Sequence, residues 1–401
     1  MAASAATAPI AASQNPVVAN AMARAGLIPG PSTQTVRRVQ QIAQFTAANY
    51  VAGQQLRFTA APAPAGIITR FLVRVSASIG IGGAETQNRV GNGAAAFFSN
   101  IQYVDTSNQT RINAPGWYLN ILSTQRRRRE YAAALVGDVA GVAGSGDAWG
   151  ADLIAAPAAL NAVPPAAGAP NFSMVYELPL AYGHDDLRGA VLANLINASQ
   201  SINLTVNPNF FVATGDQVNI ADAAYQSTTA QLGAIGNLTI TVYQEYIDQI
   251  GGLPLPMIDL ATQYLLQTNG GERPVANTDL IIPYANYRLF LSTIIRYNNS
   301  GAFNLGSDVN YIAVRTANGT DLIHVDPYIL TLLNREHTGC DLPAGYYAIN
   351  HRAKPLFTNS FGNISLVFQA SAVTGVNSSV TVGYEQLALM SQVAGAGGIG
   401  G

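Results

Sequence analysis

Short segments in which apolar and polar residues alternate recur along the chain from about residue 54 onward. Five segments show an apolar residue at every second position: 70–79 (RFLVRVSASI), 201–207 (SINLTVN), 238–242 (LTITV), 363–369 (NISLVFQ) and 379–384 (SVTVGY). A period of two is typical of a β-strand with one face in a core and the other in water. Clusters of Gly, Pro and Asn separate the segments, so the pattern predicts an all-β sandwich or barrel.

Two pairs of similar segments indicate that this sandwich is duplicated. The segment ITVYQE (240–245) resembles VTVGYE (380–385), and RFLVRVS (70–76) precedes the first as RLFLSTII (288–295) precedes the second. Two similarities in the same order predict two related domains. The length of 401 residues agrees with this, because a domain usually takes about 100–200 residues.

Composition changes divide the chain into four parts. We expect an N-terminal helical arm at 1–50, a first sandwich at 51–250, a second at 251–390 and a flexible glycine-rich tail at 391–401. The first sandwich is the longer one, and its excess lies in Gly/Ala/Pro-rich stretches that we expect to be outward loops, at 132–170 and 207–236. The stretch at 253–268 begins with prolines and becomes helical or extended.

Three short helices are predicted from capping residues and apolar stripes. The first begins after Asn15 and ends near Gly26, and the second covers about 32–45. Apolar residues form a stripe on the second helix, opposite two arginines and two glutamines: Val36, Val39, Ile42 and Ala43. The third helix, 326–337, is inserted in the second sandwich, with Asp326 as its cap.

Charged residues are scarce, at 10% of the chain against the usual share of about 25%. A surface with few charges suits a protein that packs against copies of itself, because interface cores are depleted in charge. The net charge of −2 argues against specific nucleic-acid recognition. The single cysteine, Cys340, excludes an internal disulfide. No segment resembles a membrane span or a signal peptide, so we expect a soluble product made in a cytoplasm.

Residues that resemble catalytic or binding motifs lack the context that such motifs need. His184, Asp185 and Asp186 are adjacent in sequence, so their side chains do not face one another as a triad requires. His337 and Cys340 supply only two ligands of the about four that structural zinc takes. The tail GAGGIG (395–400) has no helix after it to bind phosphate. We therefore expect no enzymatic activity, no catalytic residue, no metal and no cofactor.

Four consecutive arginines, Arg126 to Arg129, form the sharpest charge feature. Such a run can bind the phosphates of a genome or of lipid headgroups. It can also form a solvated edge or a salt-bridge patch between subunits. The second interpretation is favoured, because a single run of arginines without interleaved aromatic residues is a weak signal for nucleic-acid binding.

Four stretches together resemble one family: 178–196 (LPLAYGHDDLRGAVLANLI), 241–250 (TVYQEYIDQI), 253–268 (LPLPMIDLATQYLLQT) and 284–321, which begins YANYRLFLSTIIRYNN. They are similar to the major capsid protein of tectiviruses that infect Gram-negative bacteria. The resemblance implies a double jelly roll, that is, two eight-stranded antiparallel β-sandwiches. It also implies a homotrimer with a pseudo-hexagonal footprint that tiles an icosahedral shell over an internal lipid membrane.

The same resemblance implies the partners and location of the chain. We expect it to contact itself, neighbouring trimers, vertex and minor capsid proteins and the viral membrane, in a virion assembled in a bacterial cytoplasm. Within the arm, Arg24, Arg37 and Arg38 are candidates for contact with lipid phosphates or with neighbouring trimers. The alternatives are a receptor-binding or lectin-like sandwich, for which Trp117 and Trp149 offer little aromatic surface, and a sandwich hydrolase without a convincing carboxylate pair.

Overall fold

The computed structural model describes a discontinuous set of residues that covers both predicted sandwiches. The described ranges are 35–49, 51–60, 66–80, 88–89, 93–126, 151–154, 172–183, 186–192, 199–213, 223, 225–227, 234–249, 262–269, 271–299, 308–338, 342, 345–360, 362–371 and 378–389. The first predicted helix, Arg24, Arg127 to Arg129 and the glycine-rich tail lie outside these ranges.

The first half of the chain contains thirteen described strands and one α-helix, α1 at Gly116–Arg126. The strands are β1 Thr35–Asn49, β2 Gln55–Ala60, β3 Ile67–Gly80, β4 Asn88–Arg89, β5 Phe98–Val104, β6 Thr110–Ala114, β7 Ala151–Ile154, β8 Phe172–Pro179, β9 Val191–Leu192, β10 Gln200–Val206, β11 Phe211–Ala213, β12 Tyr225–Ser227 and β13 Ala234–Gln249.

The second half contains ten described strands and a second α-helix, α2 at Pro327–Thr338. The strands are β14 Thr262–Thr268, β15 Arg273–Pro274, β16 Leu280–Pro283, β17 Arg288–Asn298, β18 Val309–Thr316, β19 Asp321–Val325, β20 Tyr346–Asn350, β21 Leu356–Phe357, β22 Ile364–Ala370 and β23 Ser379–Leu389.

Both halves have the strand order of a jelly roll. In the first, sheet A runs β1-β13-β3-β8-β7 and faces the order β2-β10-β5-β6. In the second, the order β14-β23-β17-β20 faces sheet C, β16-β22-β18-β19. Without the short edge strand β7, each half has eight strands in these orders. Numbering the eight along the chain gives the same two orders in both halves, 1-8-3-6 and 2-7-4-5, and a helix follows the fifth strand in both. Eight strands in this arrangement form a jelly roll, so the predicted double jelly roll is confirmed.

One continuous sheet joins the two jelly rolls. This ten-stranded sheet B contains β2-β10-β5-β6 of the first and β14-β23-β17-β20 of the second, with β6 and β14 paired in parallel. Leu266 lies opposite Ile112 in that pairing, and Gln267 lies opposite Asn113. The two sandwiches therefore share backbone hydrogen bonds as well as side-chain contacts.

Each jelly roll has its own apolar core, although the first core also takes in residues of the second. On β3 the alternate residues Phe71, Val73, Val75 and Ala77 are fully buried, as the period of two predicted. The core of the second jelly roll centres on Phe290, Tyr297 and Phe368, the last two with ring centroids 5.2 Å apart. Burial of these alternating faces is the main term that stabilises the fold.

The five predicted strand segments are confirmed as parts of β3, β10, β13, β22 and β23. The helix predicted at 326–337 is also confirmed as α2, and Asp326 caps it, since its Oδ1 accepts a hydrogen bond of 2.8 Å from the Ile329 amide. The part of 253–268 that is described is extended, as β14. Neither described helix is long and apolar enough to cross a membrane.

The helix predicted at about 32–45 is wrong, because residues 35–49 form strand β1 at the edge of sheet A. Val36 and Val39 are three residues apart, on opposite faces of the strand, and a bulge between Gln41 and Ala43 makes room for the adjacent Ile42 and Ala43, so the apolar residues fall at a helix-like spacing. Beyond the bulge, Ala43 and Phe45 pack against the core. The first jelly roll therefore begins inside the segment that the sequence assigned to an arm.

The two stretches predicted as outward loops contain short strands in their described parts. Strand β7 pairs with β8 in sheet A, and β11 and β12 form a small sheet with β4. The rest of these stretches lies outside the described residues, and their outward position stays a prediction.

Candidate assembly surfaces

Helix α1 lies between the two jelly rolls. Its apolar residues are at most 2% exposed: Trp117, Tyr118, Leu119, Ile121 and Leu122. The Trp117 ring lies 5.6 Å from the Tyr346 ring, and the Arg296 guanidinium lies 4.7 Å from the Trp117 centroid. At the other end of α1, Ser292 donates a hydrogen bond of 2.8 Å to Gln125. The second jelly roll thus covers the face of α1 that its own sandwich leaves free.

Two glycines let the jelly rolls approach each other closely. A Cβ atom at Gly383, on β23, would overlap the Tyr118 ring. Gly189 has a φ of +85°, which L side chains rarely adopt, and a Cβ there would meet the Tyr264 Cβ at 2.5 Å. The contact of α1 with β23 therefore depends on the missing side chain of Gly383, and the contact of Gly189 with β14 depends on its own.

A buried group of charges connects the same two parts of the chain. The Glu385 carboxylate is fully buried and accepts hydrogen bonds from Tyr264 and from Arg352, whose Nε lies 3.1 Å away. Arg126, the last residue of α1, lies 4.0 Å from the same carboxylate. Burial disfavours the charge on Arg352, but the Glu385 carboxylate outweighs it and raises the pKa of Arg352.

Arg126 does not lie on a solvated edge. It donates hydrogen bonds to the Tyr264 hydroxyl at 2.8 Å and to the Ala181 carbonyl at 3.0 Å, and its guanidinium lies 5.2 Å from the Tyr264 centroid. The first arginine of the four-arginine run is therefore part of the contact between the jelly rolls within one chain.

Helix α2 presents a contrasting apolar face to solvent. Leu330 is only 3% exposed, because it packs on the second jelly roll. Four large apolar residues of the helix are exposed by 40–71%: Tyr328, Ile329, Leu332 and Leu333. Such a contiguous exposed patch is typical of a contact surface.

Strand β1 forms a second exposed surface, at one edge of sheet A. Val36 and Val39 are 45% and 56% exposed, and among the described residues no strand pairs with the outer side of β1. A long unpaired edge is a ready site for contact with another chain.

Arg37 and Arg38, two of the predicted contact residues, lie on β1 and pair with residues of their own chain. Arg37 lies 3.6 Å from Glu245, and Arg38 lies 2.7 Å from Asp248. Both arginine side chains remain partly exposed. Glu245 also accepts a hydrogen bond of 2.8 Å from Arg70, so it neutralises charge on two strands.

The histidines that the structure describes do not form a cluster. His324 stacks on Tyr311 with centroids 4.5 Å apart and lies 2.8 Å from Asp321, whose pKa hydrogen bonds from Arg315 lower to about 2. His337 contacts Asn350. Asp186 pairs with Arg188. His184, Asp185 and Cys340 lie outside the described ranges, and within those ranges no three His, Cys, Asp or Glu side chains lie together as metal ligands.

Comparison with known proteins identifies the family of the chain. Residues 10–250 match the family model described as the P3 major capsid protein N-terminal part, and residues 261–400 match the one described as the C-terminal part. The chain belongs to the P3 major capsid protein family. A curated relative, the major capsid protein P3 of Enterobacteria phage PRD1, is 34% identical over 350 residues, which cover 85% of this chain and 86% of the relative. The predicted tectivirus resemblance is thereby confirmed.

Solved structures of other viral capsid proteins have the same fold. The crystal structure of the STIV MCP superposes with a TM-score of 0.60 at 12% identity, covering 90% of this chain and 98% of that one. A chain of the atomic structure of Sulfolobus Turreted Icosahedral Virus gives 0.58 at 14% identity, with 90% and 95% covered. At such identities these likenesses show the fold alone.

Proposed function

We propose that the chain is the repeating subunit of a viral shell. The observation that carries this proposal is the pair of jelly rolls with one strand order, joined side by side through sheet B, in a chain of the P3 major capsid protein family. A subunit made of two similar bodies suits the tiling of a surface, since both halves offer comparable flanks. We further propose that it is a structural protein and not an enzyme.

In this proposal the chain acts as a homotrimer with a pseudo-hexagonal footprint. Three copies contribute six jelly rolls, so closed three-fold symmetry approximates six-fold packing. Obligate interfaces usually bury about 2,000 Å² or more in total. The exposed face of α2 and the open edge of β1 are surfaces that a neighbouring chain can cover.

The shell encloses a lipid membrane, and vertex and minor capsid proteins complete it. Arg24, Arg37 and Arg38 are proposed to contact either that membrane or neighbouring trimers. For Arg37 and Arg38 the second possibility has more support, because Glu245 and Asp248 already neutralise much of their charge.

Two measurements test the proposal. Native mass spectrometry of the purified chain should give a trimer and no stable monomer. Electron micrographs of the assembled particle should show an icosahedral shell with three-fold capsomers outside a bilayer. A folded monomer that forms no shell with its virion partners would contradict the proposal.

A further inference from the structure

The two helices occupy the same place in the two jelly rolls and have related sequences. Both follow the fifth strand and precede the sixth. Aligning PGWYLNILSTQR (115–126) with DPYILTLLNREH (326–337) pairs aromatic with aromatic and leucine with leucine. Trp117 then corresponds to Tyr328, Tyr118 to Ile329, Leu119 to Leu330, Ile121 to Leu332 and Leu122 to Leu333.

Corresponding residues of the two helices differ in burial on one face only. Leu119 and Leu330 are both buried, since each points into its own jelly roll. The other four pairs are buried in α1 and exposed in α2. In α1 the face formed by these four residues is covered by the outer face of the second jelly roll. Within one chain, the described residues contain no equivalent cover for α2.

The outer face of sheet A is the counterpart of the surface that covers α1. In sheet A, Val73 of β3 lies opposite Val242 of β13. In sheet B, Ile295 of β17 lies opposite Val382 of β23. This register makes Arg74 of β3 the counterpart of Arg296 of β17. It also makes Tyr243 of β13 the counterpart of Gly383 of β23, as the alignment of ITVYQE with VTVGYE does.

The side chains at these positions are complementary to α2. Arg296 lies over the Trp117 ring within the chain, whereas its counterpart Arg74 is exposed and the Trp117 counterpart, Tyr328, is 71% exposed. An exposed guanidinium and an exposed aromatic ring are suited to a cation–π contact.

Side-chain size changes in a matched way on the two surfaces. Tyr118 is bulky and packs where Gly383 has no side chain. In α2 the corresponding residue is the smaller Ile329, and on sheet A the corresponding residue is the half-buried Tyr243. A gain of volume on one surface is thus offset by a loss on the other, as close packing requires.

We infer that the exposed face of α2 docks on the outer face of sheet A in a second copy of the chain, with Tyr328 on Arg74 and Ile329 on Tyr243. This contact repeats between chains the one that α1 makes within a chain. It brings the open edge strand β19 beside the open edge strand β1 of the next copy, as β6 lies beside β14. In the proposed trimer, three such contacts form a closed ring. The inference rests on the proposed trimer and names the surfaces that form it.

Native mass spectrometry of full-length variants tests the docking. Arg74→Glu and Leu333→Asp should each reduce the trimer at least tenfold in favour of monomer at micromolar concentration. Arg74→Glu replaces the cation that faces the Tyr328 ring with an anion, and Leu333→Asp places a charge in an apolar contact. Ile281→Asp is the matched control: Ile281 is 57% exposed on β16, at the opposite edge of sheet C from β19, and the trimer should persist. Trimers that survive both Arg74→Glu and Leu333→Asp would overturn the inference.

Cross-linking provides a second measurement, which does not depend on a weakened fold. Cysteines are introduced by Arg74→Cys and Tyr328→Cys, together in one chain, in a Cys340→Ser background, and treated with a short bismaleimide. The expected products on a denaturing gel are covalent dimers and trimers and nothing larger. On the same gel, each single-cysteine chain should run as a monomer, and a mixture of the two chains should give no product larger than a dimer.

The outcomes separate the inference from the function on which it rests. A native trimer that yields only monomer bands after cross-linking would overturn the α2 docking and leave the proposed trimer intact. If native mass spectrometry showed that the Cys340→Ser chain and the unmodified chain are both monomers, the proposed trimer and the docking would be overturned together.

Discussion

At the scale of single residues, His351 combines burial with a ring nitrogen that has no hydrogen-bond partner. Burial lowers the pKa of His351 to about 4. Below about pH 6.5 the unfolded chain takes up a proton that the folded chain binds only near pH 4. The free energy of unfolding should therefore fall as the pH falls through this window, by up to about 3 kcal/mol.

The pH dependence is checked by denaturant unfolding at fixed protein concentration between pH 4 and pH 7. His351→Gln should flatten the profile, since it removes the buried titrating group. An unaltered slope in His351→Gln would show that other groups dominate acid unfolding.

Gly383 is a position at which one methyl group should weaken the contact between the jelly rolls. Gly383→Ala would place a Cβ against the Tyr118 ring, and overpacking of this kind usually costs about 1–3 kcal/mol. Thermal unfolding should show a lower midpoint. Gly183→Ala is the matched control, because a Cβ at Gly183 meets nothing closer than 3.9 Å. Equal midpoints for the two variants would contradict the prediction.

The buried Glu385 should make the protein sensitive to the loss of Arg352. Arg352→Met leaves the carboxylate with Arg126 at 4.0 Å as its nearest remaining cation, and breaking a buried ion pair typically costs about 3–5 kcal/mol. Adding Glu385→Gln should recover much of the loss, because the uncompensated charge is removed. A double-mutant cycle from urea unfolding measures the coupling. Additive effects would argue against a functional pair.

At the scale of elements, strands with an undisturbed period of two were predictable and the bulged edge strand was not. In β3 every second residue meets the core, so the pattern alone predicts it. In β1 the exposed Val36 and Val39 lie on opposite faces of the strand, the bulge between Gln41 and Ala43 follows them, and the resulting spacing of apolar residues matches a helix. The pairing with β13 that decides the matter is long-range, and no local pattern contains it.

Of the two helices, the sequence pattern predicted only α2. Helix α2 has a capping Asp326 and a polar face, so the sequence predicted it. Helix α1 is apolar on both faces because it is covered on both, and it carries no amphipathic signal. The alignment of 115–126 with 326–337 was the signal that could have found it.

Two N-terminal truncations test how much strand β1 contributes to the stability of the first jelly roll. Removing residues 1–49 takes away the edge strand and, with it, Ile42 and Phe45, which pack against the first core, so the free energy of unfolding should fall by several kcal/mol. Removal of residues 1–34, which leaves β1 complete, is the control. The measurement is thermal unfolding of both truncations. Equal stability would show that β1 is dispensable to the first jelly roll.

At the scale of the whole molecule, the contact between the jelly rolls was not predictable from any single segment. Arg126 belongs to a run that resembles a surface patch, yet it contacts Tyr264 and Ala181, which are distant in sequence. The duplicated strands predicted two sandwiches. They gave no indication that β6 and β14 pair into one sheet, because a pairing of only two residue pairs leaves no periodic pattern in the sequence.

The shared sheet and shared core predict that neither jelly roll folds alone. The first core includes Leu291, Ile294 and Tyr346 of the second half, on the face of sheet B that α1 covers. A fragment of residues 251–401 would expose these residues, and a fragment of residues 1–250 would expose α1, so each should be aggregated when expressed alone. Expressed together they should associate into a soluble complex, because the surfaces are already complementary.

The control is the intact chain with a protease site inserted within 251–260, which should stay assembled after cleavage. Circular dichroism and light scattering follow each sample. A soluble, cooperatively unfolding 251–401 fragment would mean that the second core is sufficient by itself, and that the contact with α1 adds assembly specificity without being needed for folding.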